Sequence, residues 1–105
     1  MRKVIAVALF FMMWSFSTPA LAIDCHRAEK KVEHLICSSD YLIGLDSEMS
    51  SLYFLLRDFS SRNGARYLLD NQREWLRRRN QCRNFSCLEA KYLQRIKAFR
   101  NVIYN

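Results

Sequence analysis

The residues best equipped for chemistry in this chain are four cysteines and two histidines. Cys25, Cys37, Cys82 and Cys87, with His26 and His34, offer enough sulfur and imidazole for a tetrahedral zinc site. Their spacing argues against one. There is no C-x2-C knuckle to nucleate a metal site, and no C-x-x-C pair for redox work. An even cysteine count in a short chain with an export leader, described below, reads instead as two disulfides. No metal and no cofactor is expected. Cys82 and Cys87 make a C-x4-C pair across a turn between two helical stretches, well placed for a local bridge, and Cys25 is then left to Cys37. Were residues 26–36 all helical, that second pair would stand about 18 Å apart, whereas bridged Cα atoms lie about 4.4–6.8 Å apart. The pairing therefore requires a non-helical arm from Cys25 to about Lys30. Crossed pairings stay open, since four cysteines allow three connectivities.

Bridged cysteines cannot act as nucleophiles. No Ser-His-Asp set or partnered carboxylates can be read, and His34, beside Glu33, reads as a solvated surface histidine. The chain is expected to be non-enzymatic. The remaining chemistry-bearing residues are polar groups on otherwise apolar stripes. Gln72 and Arg79 interrupt one stripe. Asp46, with Tyr53 two turns along the same face, lies beside a second, and Arg95 beside a third. A buried polar group left unpaired costs about 1–3 kcal/mol. An Asp46–Arg79 or Asp46–Arg95 pair, completed by Gln72 and tyrosine hydroxyls, would remove that cost. The first reading of these residues is a structural network. The alternative is a binding site opening at one end of a bundle.

The elements that must position them follow from apolar spacing. Val32, Leu35 and Ile36 give one face to a short helix over about Lys30 to Cys37. Leu45, Met49, Leu52, Leu56 and Phe59, extended upstream by Leu42, form a seam over about Asp40 to Phe59, with Ser39 as its cap. Leu68, Gln72, Trp75, Arg79 and Cys82 form a third over about Ala65 to Gln81, after the break Ser60-Ser61-Arg62-Asn63-Gly64. Leu88, Tyr92, Ile96, Phe99 and Ile103 form a fourth over about Cys87 to Ile103. Ser86 and Glu89 read as an S-x-x-E capping box at its start. Short loops make consecutive helices antiparallel neighbours. The expected fold is all-α: a small antiparallel bundle of one short and three longer helices, stapled by two disulfides.

Composition bounds the rest. The chain has 105 residues, two glycines, one proline and a formal charge of +7. Two glycines leave no room for a phosphate-cradling loop and argue against an all-β fold. Met1-Arg2-Lys3, the apolar run from Val4 to Phe16, and Ala20-Leu21-Ala22 lay out a secretory leader cut after Ala22. Its uninterrupted apolar part is too short for the roughly 20 residues that span a bilayer. Asp24 before Cys25 excludes lipidation. The expected organisation is a signal peptide over residues 1–22 and a helical domain over 23–105, periplasmic or secreted. Without Arg2 and Lys3, 15 basic residues face 10 acidic ones, a charge of +5. A core this small is commonly stapled.

The combined pattern is Cys25, Glu33-x-x-Ile36-Cys37, Leu42-x-x-Leu45-Asp46, Leu52-Tyr53, Gln72-x-x-Trp75-Leu76-x-x-Arg79-x-x-Cys82 and Cys87-Leu88-x-x-x-Tyr92-x-x-Arg95-Ile96. It resembles the lysozyme inhibitor LprI-like N-terminal domain family over about Cys25 to Phe99. The resemblance implies an exported, disulfide-bonded helical domain in which Asp46, Tyr53, Gln72, Trp75, Arg79, Tyr92 and Arg95 are signature residues of a structural kind. It also implies lysozyme inhibition through protein–protein binding. It supplies no motif for the inhibitory contact, so no contact residue is assigned. The chain departs from the family in lacking a lipobox and in carrying Lys31 and Asp40 where prolines are frequent.

The expected partner is therefore lysozyme. The alternative is an envelope-binding or structural periplasmic protein that contacts anionic lipid or polysaccharide. Many lysozymes are basic, so an inhibitor of charge +5 needs a local acidic patch. Asp24 with Glu29 and Glu33, or Asp46 with Glu48, are the candidates. The cluster Arg73, Arg77, Arg78, Arg79 and Arg83 reads as cations favoured at a helix C-terminus rather than as a nucleic-acid surface.

Overall fold

Each long helix begins where a side chain takes up the free amides of the first turn. The computed structural model describes residues 22–105, so the leader assigned above lies, apart from Ala22, outside the described residues. Four α-helices follow one another: α1 (Lys31–Cys37), α2 (Asp40–Asp58), α3 (Arg62–Arg79) and α4 (Phe85–Tyr104). Among the described residues there is no strand, and no helix is long and apolar enough to cross a membrane. Ser39 caps α2 by accepting the Leu42 amide at 3.2 Å. At α1 the N-terminal role falls to Glu33, whose Oε1 accepts the Glu29 and Lys30 amides at 2.9 and 3.0 Å. Those two bonds hold its carboxyl below the usual carboxylate range.

Three boundaries differ from the expected ones for local reasons. α3 starts at Arg62, ahead of Ala65, because Ser61 is the cap and Gly64 supplies the amide it accepts, at 3.1 Å. α4 starts at Phe85 because Asn84, not Ser86, accepts the Cys87 amide, at 2.9 Å. Glu89 is drawn away to accept the Tyr41 hydroxyl at 2.7 Å, so the expected capping box does not form. α3 ends at Arg79, which leaves Cys82 in the connecting loop.

The bridges are Cys25–Cys37 and Cys82–Cys87, with Cα atoms 5.7 and 5.5 Å apart. The arm that permits the first is a single 3-10 turn, Cys25–Arg27, followed by extended backbone up to Lys30. Asp24 caps that turn by accepting the His26 amide at 3.0 Å. Disulfides of this kind form and persist in an oxidising compartment.

The helices run up, down and up. Contacts between α2 and α4 advance together along both chains (Tyr41 with Glu89, Asp46 with Tyr92, Tyr53 with Phe99), so these two helices are parallel. Contacts with α3 advance oppositely: Met49 meets Gln72 while Asp46 faces Arg79. α2 and α4 make the most extensive packing, and α1 lies across both. The core is Val32, Ile36, Leu42, Leu45, Met49, Tyr53, Trp75, Cys82, Leu88, Tyr92, Ile96 and Phe99. On α2 the buried face passes through Leu42, Leu45, Met49 and Tyr53, and then leaves the expected seam. Leu52 and Leu56 are half-buried and Phe59 is 83% exposed. The buried stripe continues through Asp46, Ser50 and Tyr53 instead. α3 buries only Gln72, Trp75 and Arg79, so polar and aromatic contacts hold it more than an apolar seam does.

Candidate functional site

The polar residues of the stripes gather into two separate clusters. The first surrounds Asp46, which α2 delivers to the interior at 1% exposure. Its Oδ1 accepts the Tyr92 hydroxyl at 2.8 Å, and its Oδ2 accepts the Ile23 backbone N–H at 2.8 Å. Arg79 Nη1 stands 3.9 Å from Oδ1 and donates to the Tyr92 hydroxyl at 3.3 Å. The rest of the Arg79 fork goes to its neighbour: Nε and Nη2 donate to Asn80 Oδ1 at 3.1 and 2.7 Å. The Asp46–Arg79 pair is thus mediated by a tyrosine rather than bidentate. Burial first, and the Asp46 charge second, push the Tyr92 hydroxyl far above the usual phenol range. Tyr92 is therefore a neutral donor, the form the carboxylate needs.

The second cluster is built on Arg95. Its Nε and Nη2 donate to Gln72 Oε1 at 3.1 and 2.8 Å, and its Nη1 donates to Asn71 Oδ1 at 2.6 Å. The guanidinium lies 4.4 Å from the Phe99 ring centre and 5.8 Å from that of Trp75, a cation–π arrangement. Burial, and then the nearby Arg78 charge, lower its pKa to about 10, so it remains a cation at neutral pH. Gln72 completes its amide by donating to Met49 Sδ at 3.1 Å. Trp75 meets Tyr92 edge to face at 5.3 Å, the aromatic contact between the two clusters. Of the two ion pairs open to Asp46, Arg79 forms and Arg95 does not: α4 places Arg95 against α3 instead.

Tyr53 joins neither cluster. It packs edge-on against Phe54 at 5.1 Å, and burial raises its hydroxyl pKa. The Ser50 hydroxyl is buried with no hydrogen-bond partner among the described residues. All four cysteines are bridged, and no group of three His, Cys, Asp or Glu that could hold a metal occurs among the described residues.

Next to Arg79 a cavity of about 300 Å³ opens at one end of the bundle, lined by Ile23, Arg27, Glu33, Leu76, Arg79 and Asn80 among others. Two of the acidic-patch candidates are already committed: Asp46 is buried, and Glu48 is ion-paired with Arg100. Glu33 is tied to the α1 amides. Asp24 caps the 3-10 turn and stands 3.8 Å from Arg27, which leaves Glu29 on the exposed arm. Sequence reasoning missed Asn71, Asn80 and the Ile23 amide. The two asparagines carry a faint signal as chain neighbours of Gln72 and Arg79. A backbone amide carries none, except that the leader cut falls beside it. No family model, no curated protein and no solved structure matches this chain.

Proposed function

We propose that this chain is an exported, non-enzymatic binding protein of the cell envelope, and that its partner is a peptidoglycan-cleaving lysozyme. The observation that carries this reading is convergence. Asp46, Gln72, Trp75, Arg79, Tyr92 and Arg95, which bear the resemblance to the lysozyme inhibitor LprI-like N-terminal domain, come together from three helices in one interior. In this reading the scattered pattern marks one packed scaffold whose polar groups tie helices together, and the partner meets the stapled outer surface. The exposed arm offers the Glu29 carboxylate to a basic lysozyme, alongside the exposed cations Arg27 and Lys30. The test is a cell-wall turbidity assay with the mature, oxidised protein and lysozymes of several types. Slower lysis for at least one type is expected. Unchanged lysis for every type at micromolar excess rejects the lysozyme reading.

A second reading has its own observation. Arg62, Arg66, Arg73 and Arg77 are all exposed and recur at helical spacing along α3, with Asp70 among them. That stripe suits anionic lipid headgroups or acidic polysaccharide. Co-sedimentation with anionic vesicles that falls as salt rises favours this reading. Absence of binding at low salt rejects it.

A further inference from the structure

Reading residues 1–22 as a leader places a new amino terminus at Ile23, and the structure locates that nitrogen. It lies 2.8 Å from Asp46 Oδ2. Asp46 is 1% exposed, and the Ile23 side chain packs against the core. We propose that Asp46 is the receptor for the amino terminus created by leader removal, binding the Ile23 α-ammonium as the missing cation of the buried cluster.

The chemistry of the cut is hydrolysis of the Ala22–Ile23 bond by a peptidase. Water adds across the bond, with hydroxyl to the Ala22 carbonyl carbon and a proton to the Ile23 nitrogen. A further proton from solvent makes that nitrogen an ammonium at neutral pH. The nitrogen already sits at hydrogen-bond distance, so the cut adds charge without requiring movement.

Three features of the site call for that charge. First, the direct Asp46–Arg79 contact is long, at 3.9 Å, because Arg79 gives Nε and Nη2 to Asn80. A buried carboxylate whose nearest cation stands off is underpaired. Second, the other charged groups nearby are matched among themselves: Arg27 stands 3.8 Å from Asp24, and the Lys30 charge acts on Glu33. Tyr92, from α4, is neutral, so among the described residues Arg79 is the one side-chain cation within 4 Å of Asp46. The ammonium supplies a second. Third, the Cys25–Cys37 bridge anchors the chain next to Ile23, so little freedom is lost on docking.

The proposal rests on the leader reading, and its experiment separates the two. The helices, both bridges and the core all lie within Ile23–Asn105. Two such chains are assembled by ligation at Cys25, one beginning with a free Ile23 amine and one with N-acetyl-Ile23. The acetyl group keeps a single N–H, as in the uncut chain, and removes the charge. The free-amine chain is expected to melt at least about 5 °C higher at pH 7. Its amine should titrate at least one unit above the ordinary value of about 8, by NMR. Asp46→Asn should erase the melting difference; if that variant does not fold, the amine titration still decides. Equal melting temperatures with an ordinary amine pKa overturn the proposal. Separately, the full chain is exported with its own leader and its amino terminus sequenced. A start at Ile23 is expected; any other start refutes the leader cut and removes the ammonium from Asp46.

Discussion

Tyr92 donates its hydroxyl proton to Asp46 Oδ1 at 2.8 Å, joining α4 to α2 across 46 positions of sequence. The Tyr92 hydroxyl oxygen in turn accepts from Arg79 Nη1 at 3.3 Å. One hydroxyl therefore couples three helices, and it couples them only while it keeps its proton. The folded-state pKa of Tyr92 is raised above its ordinary value of 10.0. Folded protein holds the proton where the unfolded chain releases it, so this contribution is complete below about pH 10 and is lost as pH rises beyond it. The slope is up to about 1.4 kcal/mol per pH unit. Tyr92→Phe should cost about 1–3 kcal/mol at pH 7. It should also flatten the fall of stability above pH 10, as read from urea unfolding across the alkaline range. A wild-type slope retained in the variant counts against the coupling.

Arg79 is 5% exposed and faces Asp46 through that tyrosine. Arg79→Met leaves a carboxylate buried without its guanidinium and should cost about 3–5 kcal/mol. The double change Asp46→Leu with Arg79→Met removes the carboxylate and the guanidinium together and should cost less than the sum of the two single changes, although the Ile23 nitrogen and the Tyr92 hydroxyl lose their acceptor. A thermodynamic cycle of the two singles and the double measures the coupling. Additive losses would mean that the two residues act independently.

Ser50 is 3% exposed and its hydroxyl has no partner among the described residues. A buried, unsatisfied hydroxyl is a standing penalty, and alanine has the higher helix propensity. Ser50→Ala should leave stability unchanged or raise it by about 1 kcal/mol. Denaturant midpoints of the two proteins decide the matter; a loss above 1 kcal/mol would point to a bound water or ligand on that hydroxyl.

The two bridges close loops of different length, with separations of 12 and 5 residues. Chain entropy assigns about 3 kcal/mol to the longer and about 2 kcal/mol to the shorter. Cys25→Ser with Cys37→Ser should therefore lower the melting temperature more than Cys82→Ser with Cys87→Ser. The larger effect has a second cause, since the arm it releases carries Ile23 away from Asp46. Intact mass should rise by four hydrogens on reduction of the wild type.

Much of the fold was legible because helical seams and caps are local. The stripe Leu88, Tyr92, Ile96 and Phe99 is buried as its spacing requires, and Ser39 caps α2 as its position suggests. The start of α3 has a local cause, the Ser61 cap, whereas the start of α4 involves a contact from another helix. Asn84 outranks Ser86 because Glu89, the partner Ser86 needs, is taken by Tyr41 from another helix. On α2 the spacing through Leu52, Leu56 and Phe59 is as regular as the stripe that is buried. Which stripe faces inward depends on the side of α2 against which α3 and α4 pack.

The sequence by itself determined the class of this protein: short amphipathic helices, four cysteines to staple them, and polar residues on apolar faces that had to find partners. Tertiary structure decided the partners. Asp46 could have paired with Arg79 or Arg95. Parallel packing of α2 and α4, with α3 antiparallel to both, set Arg79 and Tyr92 at Asp46 and turned Arg95 towards Gln72 and Asn71. It also brought the Ile23 nitrogen to Asp46 Oδ2. The physical reason is that a carboxylate accepts from any donor its surroundings deliver. Spacing along one helix fixes the face on which it lies, but only the register between helices fixes what it meets.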